Sequence, residues 1–157
     1  YAVDVGYGQI DNSLRNDDRV VVMERINARY LEELPERVDL VVIDVSFISL
    51  ALILPVAMRL LRVGGSCVPL IKPQFEAGRK DVGKGGVVRN PEIHRRVLSE
   101  VCGYAVANGF QVSGLVRSPL LGPSGNVEFL GHFTTDQPGE SEPAIIDDMI
   151  DRVVTQA

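Results

Sequence analysis

An α/β fold with a mostly parallel sheet is what this sequence predicts, and three observations carry that prediction. Short β-rich runs alternate with helix-like stretches, the pattern of strand–crossover–strand units. The run VDLVVIDV is nearly continuously apolar, as a strand covered on both faces should be. The last two strand-like runs lie too close together for a helical crossover, so that pair is predicted antiparallel.

The elements follow in order. YAVDVG reads as a short strand ending at Asp4 and Gly6, and GQIDNSLRND as a short helix. RVVVMER is a strand, followed by a loop with Asn27 and Arg29. After VDLVVIDV, the stretch SFISLALILPVAMRLLRVGG is predicted as one long helix, capped by Ser46 and stopped by Gly64 and Gly65. Pro55 should kink that helix or mark a second start. SCVPLIK is the next strand, and PQFEAGRKDVGKGGVVRN is a long loop rich in glycine and charge. Asn90 caps a helix that has Pro91 at its first position. Ile93, Val97, Val101 and Ala105 recur on one side of it. FQVSGLVRSPL and NVEFLGHFTT are the closing strands, separated by the turn-rich LGPSG. A final amphipathic helix carries Ile145, Ile146, Met149, Ile150, Val153 and Val154 on one face. There is no internal repeat.

The 157 residues suffice for one compact domain with a substantial core. No apolar run is long enough to span a bilayer, and no basic start precedes an apolar signal core. Cys67 and Cys102 are expected to be buried thiols rather than a disulfide, which makes a cytoplasmic setting the default. The sequence opens on Tyr1, inside a strand, and is read as a segment of something longer.

The net charge of −5 argues against a nucleic-acid partner, and its distribution weakens that argument, although charge alone favours reading the basic strip between Lys72 and Arg96 as a solvated loop and helix face. Residues 136–157 hold six acids and one Arg, so residues 1–135 are neutral overall. From Lys72 to Arg96 there are seven Lys or Arg against three acids. A local basic strip matters more to a phosphate backbone than the whole-chain charge does.

Asp4, Asp44 and Lys72 all fall at the ends of predicted strands. In open α/β sheets, ligands bind outside the carboxyl ends of the strands. Each residue alone has an ordinary structural explanation; three together point to a site.

The blocks YAVDVGYGQ, RNDDRVVVMERINARYL, DLVVIDVSFISL, LIKPQFEAGRKDVGKGGVVRNPEIH and SPLLGPSGNVEFL occur in this order from Tyr1 to about Phe133. Together they resemble the haemolysin-A-type (TlyA) ribosomal RNA 2′-O-methyltransferases, within the FtsJ/RrmJ-like ribose methyltransferases. The resemblance implies a Rossmann-like class I fold that uses S-adenosyl-L-methionine (SAM), with the last strand antiparallel. Residues 1–135 would be a partial methyltransferase domain, and residues 136–157 an acidic linker and amphipathic helix. The family's S4-type RNA-binding domain, a Lys-containing block and the first strand with its Gly-rich loop have no counterpart here. The absent first strand would belong in the middle of the sheet, leaving a gap and a chain that binds SAM poorly by itself.

The group's catalytic Lys-Asp-Lys-Glu set maps onto Asp44, Lys72 and Glu128, with no match for its first Lys. By the same resemblance Asp4, with Val5 beside it, holds the SAM ribose hydroxyls, Asn27 lies near the adenine, and Asp44 borders the cofactor. A ribose hydroxyl is a poor nucleophile and must lose its proton as it attacks a methyl group, and a neutral Lys can take it. Asp44 and Glu128 would hold Lys72 and stabilise the charge it gains. Without the first Lys, Lys72 beside two carboxylates is expected to stay protonated.

The loop EAGRKDVGKGGVVRN reads either as a flexible connection or as an RNA phosphate clamp. Gly78, Gly83, Gly85 and Gly86 permit close approach, and Arg79, Lys80, Lys84 and Arg89 supply charge. Given the resemblance, the clamp is the favoured reading. Alternation along NVEFLGHF places Glu128 on a face with Leu130, a costly arrangement unless Glu128 is paired, and Lys72 is the expected partner. The predicted partner is therefore ribosomal RNA or a ribosomal subunit, with no metal and no membrane. Two alternatives stay open: a membrane-active protein, as the haemolysin label records, and a non-catalytic fragment that binds RNA without SAM. The acidic polar face of the last helix is unlike that of a membrane-surface helix.

Overall fold

The computed structural model describes residues 1–136 and 142–155. β1 (Ala2–Asp4) pairs in parallel with β2 (Val22–Glu24), with α1 (Asn12–Arg15) between them. β3 (Val38–Ile43) opens a second sheet of order β3-β4-β6-β5. β4 (Leu61–Ile71) runs parallel to β3. β6 (Phe129–Thr134) is antiparallel both to β4 and to β5 (Gln111–Arg117), as expected for the closing pair. β1 and β3 share no ladder. They face a cleft of about 210 Å³ lined by Tyr1 and Val3 on one side and Leu40 and Val42 on the other.

The long helix expected after β3 is the main departure. A single 3-10 turn, Leu50–Leu52, is capped by Ser49 rather than Ser46, and α2 spans only Leu54–Leu60. Pro55 sits in the first turn of α2, where its missing N–H costs nothing, and so marks the second start. Leu61 already pairs with Val38, so the residues before Gly64 have left the helix for the sheet. α3 (Pro73–Glu76) adds one helical turn within the predicted loop. α4 (Pro91–Ala107) begins as expected, with the Asn90 side chain accepting from Glu92 N.

One core joins the sheet to the helices. Cys67, Ile71, Phe129 and Phe133 meet Leu54 from α2 and Val97 and Val101 from α4. α5 (Pro143–Thr155) adds Ile150 and Val153 to the same core, whereas Ile145 is turned out to solvent. The acidic linker expected before α5 lies largely outside the described residues. Both cysteines are free and buried, and burial pushes each thiol up to about 12. On the opposite face of the sheet Leu40, Val42 and Val116 are exposed.

Candidate active site

Asp44 immediately follows β3, and Lys72 immediately follows β4. The parallel register, with Ile43 opposite Pro69, brings both carboxyl ends to one edge of the sheet. There Lys72 Nζ lies 2.6 Å from Asp44 Oδ1 and donates to Ser46 Oγ at 3.2 Å. It also stands 5.8 Å from the centroid of the Phe75 ring. The Lys72 side chain is 12% exposed and that of Asp44 68% exposed, so the ammonium is enclosed while the carboxylate faces solvent.

Glu128 arrives from the other direction. It precedes β6, and the antiparallel register pairs Phe129 with Ile71. The residue before β6 is thereby delivered to the end of β4, next to Lys72 in the ladder. The predicted Lys72–Glu128 pair does not form, and no ion pair joins them among the described residues. Glu128, only 5% exposed, instead accepts from Gln74 Nε2 at 2.8 Å. Gln74 lies on α3, and its amide, rather than the Lys72 ammonium, bonds the carboxylate. Gly122 packs against the same group: a Cβ there would lie 2.2 Å from Glu128 Oε1.

The four residues assigned to the cofactor gather around one cavity of about 510 Å³, lined by Asp4, Val5, Asn27 and Asp44 together with Ile26 and Val45. Asp4 Oδ1 accepts from Gly6 N at 2.6 Å, which fixes the carboxylate at the strand end. Asn27 Oδ1 is engaged as the cap of a 3-10 turn, accepting from Arg29 N. A carboxylate on one wall and aliphatic side chains on another suit a ribose and an adenine, so the residues present fit a nucleoside-type group.

Arg79, Lys80, Lys84 and Arg89 are all exposed on the loop between α3 and α4. The loop is anchored from behind. Asn126 accepts from Val88 N at 3.1 Å and donates to Gly86 O at 3.0 Å, and His94 Nε2 lies 2.9 Å from Val88 O. Burial holds His94 below its ordinary value, opposed by the Val88 hydrogen bond and helped by the charge of Arg117. Glu76 steadies the segment after Asp44: its carboxylate accepts from Leu50 N and Ser49 Oγ, and burial pushes its carboxyl up despite those bonds.

Two contributors were not singled out from sequence. Phe47 is 90% exposed, has a left-handed φ of 63° and packs on Phe75 with ring centroids 4.8 Å apart. A bulky residue held in that conformation is strained, and such strain gathers at functional sites. Gln74 is the other, and only the β4–β6 register reveals its partner.

A mixed sheet with a parallel part, and a lysine and carboxylates gathered at one edge beside a cavity, is the arrangement of a Rossmann-like methyltransferase domain. The family model for FtsJ-like methyltransferases matches residues 1–134, and the chain belongs to that family. It is 46% identical to the 16S/23S rRNA (cytidine-2′-O)-methyltransferase TlyA of Mycobacterium tuberculosis, over 99% of this chain and 59% of that protein. It is 40% identical to Hemolysin A of Brachyspira hyodysenteriae, over 85% of this chain and 57% of the relative. A solved chain from Streptococcus thermophilus that carries a hemolysin name superposes with a TM-score of 0.87 at 47% identity, covering 98% of this chain and 57% of that one. The chain thus spans less than two thirds of the length of these relatives.

Proposed function

We propose that this chain is the catalytic portion of a methyltransferase that modifies ribose 2′-hydroxyls of ribosomal RNA. The observation that carries the proposal is the enclosed Lys72 ammonium, held by Asp44 at one edge of the sheet where β6 also delivers Glu128. SAM, when bound, supplies an electrophilic methyl group. Asp4 and Asn27 would hold it through its ribose and adenine ends, with Val5 and Asp44 on the same cavity wall.

In this reading Lys72 would accept the proton that the 2′-hydroxyl gives up, and SAM would supply the methyl group that replaces it. Asp44 orients the amine, and the ammonium that results is stabilised by the carboxylates around it. Holding the hydroxyl in line with the methyl supplies much of the remaining rate. Arg79, Lys80, Lys84 and Arg89 contact phosphates, and Phe47 offers a face on which an unstacked base can rest. The cytoplasm, where ribosomal RNA is found, is the proposed setting, and the methyltransferase body is taken as residues 1–135 with residues 136–157 as its tail.

The membrane-active reading gains no support. The apolar side of α5 is spent on the core, and no helix among the described residues is long and apolar enough to cross a membrane. The deciding experiment incubates the full-length protein with labelled SAM and unmodified ribosomal RNA, then digests the RNA to nucleosides for mass spectrometry. A 2′-O-methylnucleoside is expected. Label confined to bases, or no transfer at all, would overturn the proposal.

A further inference from the structure

Gln74 presents an energetic oddity. Its Nε2 donates to Glu128 Oε1 at 2.8 Å, yet its own Oε1 is buried with no hydrogen-bond partner among the described residues. A buried acceptor without a donor is destabilising, and such a group in a folded protein calls for a reason. Leucine or methionine would fill the same space without that cost. The gain from glutamine is the donor aimed at Glu128.

That donor is neutral. A Lys or Arg at this position would also hold the carboxylate, but it would cancel its charge. Glu128 is fixed from two sides, by the Gln74 amide and by the close backbone of Gly122. The Gln74 amide brings no charge to Glu128, and no cation is bonded to this carboxyl group among the described residues, while the Ile71–Phe129 register sets it opposite Lys72. Lys72 itself is bonded to Asp44 and Ser46. A carboxylate whose charge is not compensated favours the ammonium that appears when a base takes up a proton.

We propose that Gln74 is a positioning residue: it locks Glu128 in place without neutralising it, and so keeps negative charge beside Lys72 during methyl transfer. The inference rests on the ribose methyltransferase reading above. It is tested with Gln74→Leu and Gln74→Lys in the full-length protein. Gln74→Leu should lower kcat roughly tenfold, short of the roughly 10²–10⁴-fold expected for loss of the base, with KM for RNA and SAM within about twofold. Gln74→Lys keeps a donor but adds charge, and should lower kcat to a similar extent and displace the pH–rate profile. An activity-independent arm follows the Gln74 side-chain amide by ¹⁵N NMR, where its resonance should move in the Glu128→Gln variant. The idea is overturned if both Gln74 variants retain the parental kcat and pH profile and change only thermal stability. It is equally overturned if the amide resonance ignores Glu128→Gln. Should the parental protein methylate no ribose, the reading it rests on fails separately, and the NMR arm alone decides whether Gln74 fixes the carboxylate.

Discussion

Replacing Lys72 by methionine keeps an aliphatic stem and removes the ammonium. The stem is almost enclosed, with 12% of the side chain exposed, so methionine can occupy its place beside Phe75. The ion pair that disappears is with Asp44, whose side chain is 68% exposed, and a pair so open to solvent contributes at most about 1 kcal/mol. In a chain of 157 residues that corresponds to a melting shift of roughly 2–4 °C. Loss of a general base costs far more in rate, roughly 10²–10⁴-fold, or about 2.7–5.4 kcal/mol of barrier. Catalysis and stability should therefore separate cleanly. Single-turnover methyl transfer by the full-length variant, read beside its melting curve and its SAM affinity by calorimetry, makes the comparison. Transfer within a few-fold of the parent would refute the role of Lys72. A melting point lowered by tens of degrees would refute the reasoning about its surroundings.

Three further outcomes are expected. Gly122→Ala forces a methyl group against Glu128 Oε1, so it should reduce transfer much as Glu128→Gln does while leaving SAM affinity unchanged, and a fully active variant would contradict the packing. His94 is held below its ordinary value, so the unfolded chain takes up a proton before the native chain does. Stability should accordingly be complete above about pH 6.5 and fall as pH drops below it, and His94→Gln should flatten that slope in melts followed across pH 5–8. Lys84→Ala with Arg89→Ala should reduce the slope of log affinity against log salt for single-stranded RNA by about 0.7 for each phosphate no longer neutralised, and an unchanged slope would remove the loop as a clamp.

The parts of the architecture set by local chemistry were legible in the sequence. Apolar runs ended where the strands end, Asn90-Pro91 opened α4, and the closing strands were too close to be parallel. Asp44 and Lys72 could be assigned in advance to one ligand site because both fall at strand ends. That they act as a pair was implied by the family resemblance, and the parallel register brings them into contact. The helix after β3 is shorter than its residues suggest because they suit a helix and a strand equally, and pairing of Leu61 with Val38 decides between them. The partner of Glu128 was hidden for a related reason. Burial demanded a partner, and Lys72 was the obvious charge, but the choice of Gln74 depends on where one turn of helix points an amide. The left-handed backbone of Phe47 leaves no mark in the residue order, since nothing about a phenylalanine announces a positive φ.

The reversed direction of β6 also governs when the site comes into being. Asp44 and Lys72 lie on strands adjacent in sequence and can meet early, through short-range pairing. Glu128 reaches them only after the chain has passed through α4 and β5 and turned back to insert β6 between β4 and β5. Pairings between segments so distant along the chain form slowly, because loop closure must precede any gain from contact. A chain still emerging during synthesis would hold the lysine and its first carboxylate but not the second. Competence for chemistry would then arrive with the last strand, as a late event in folding.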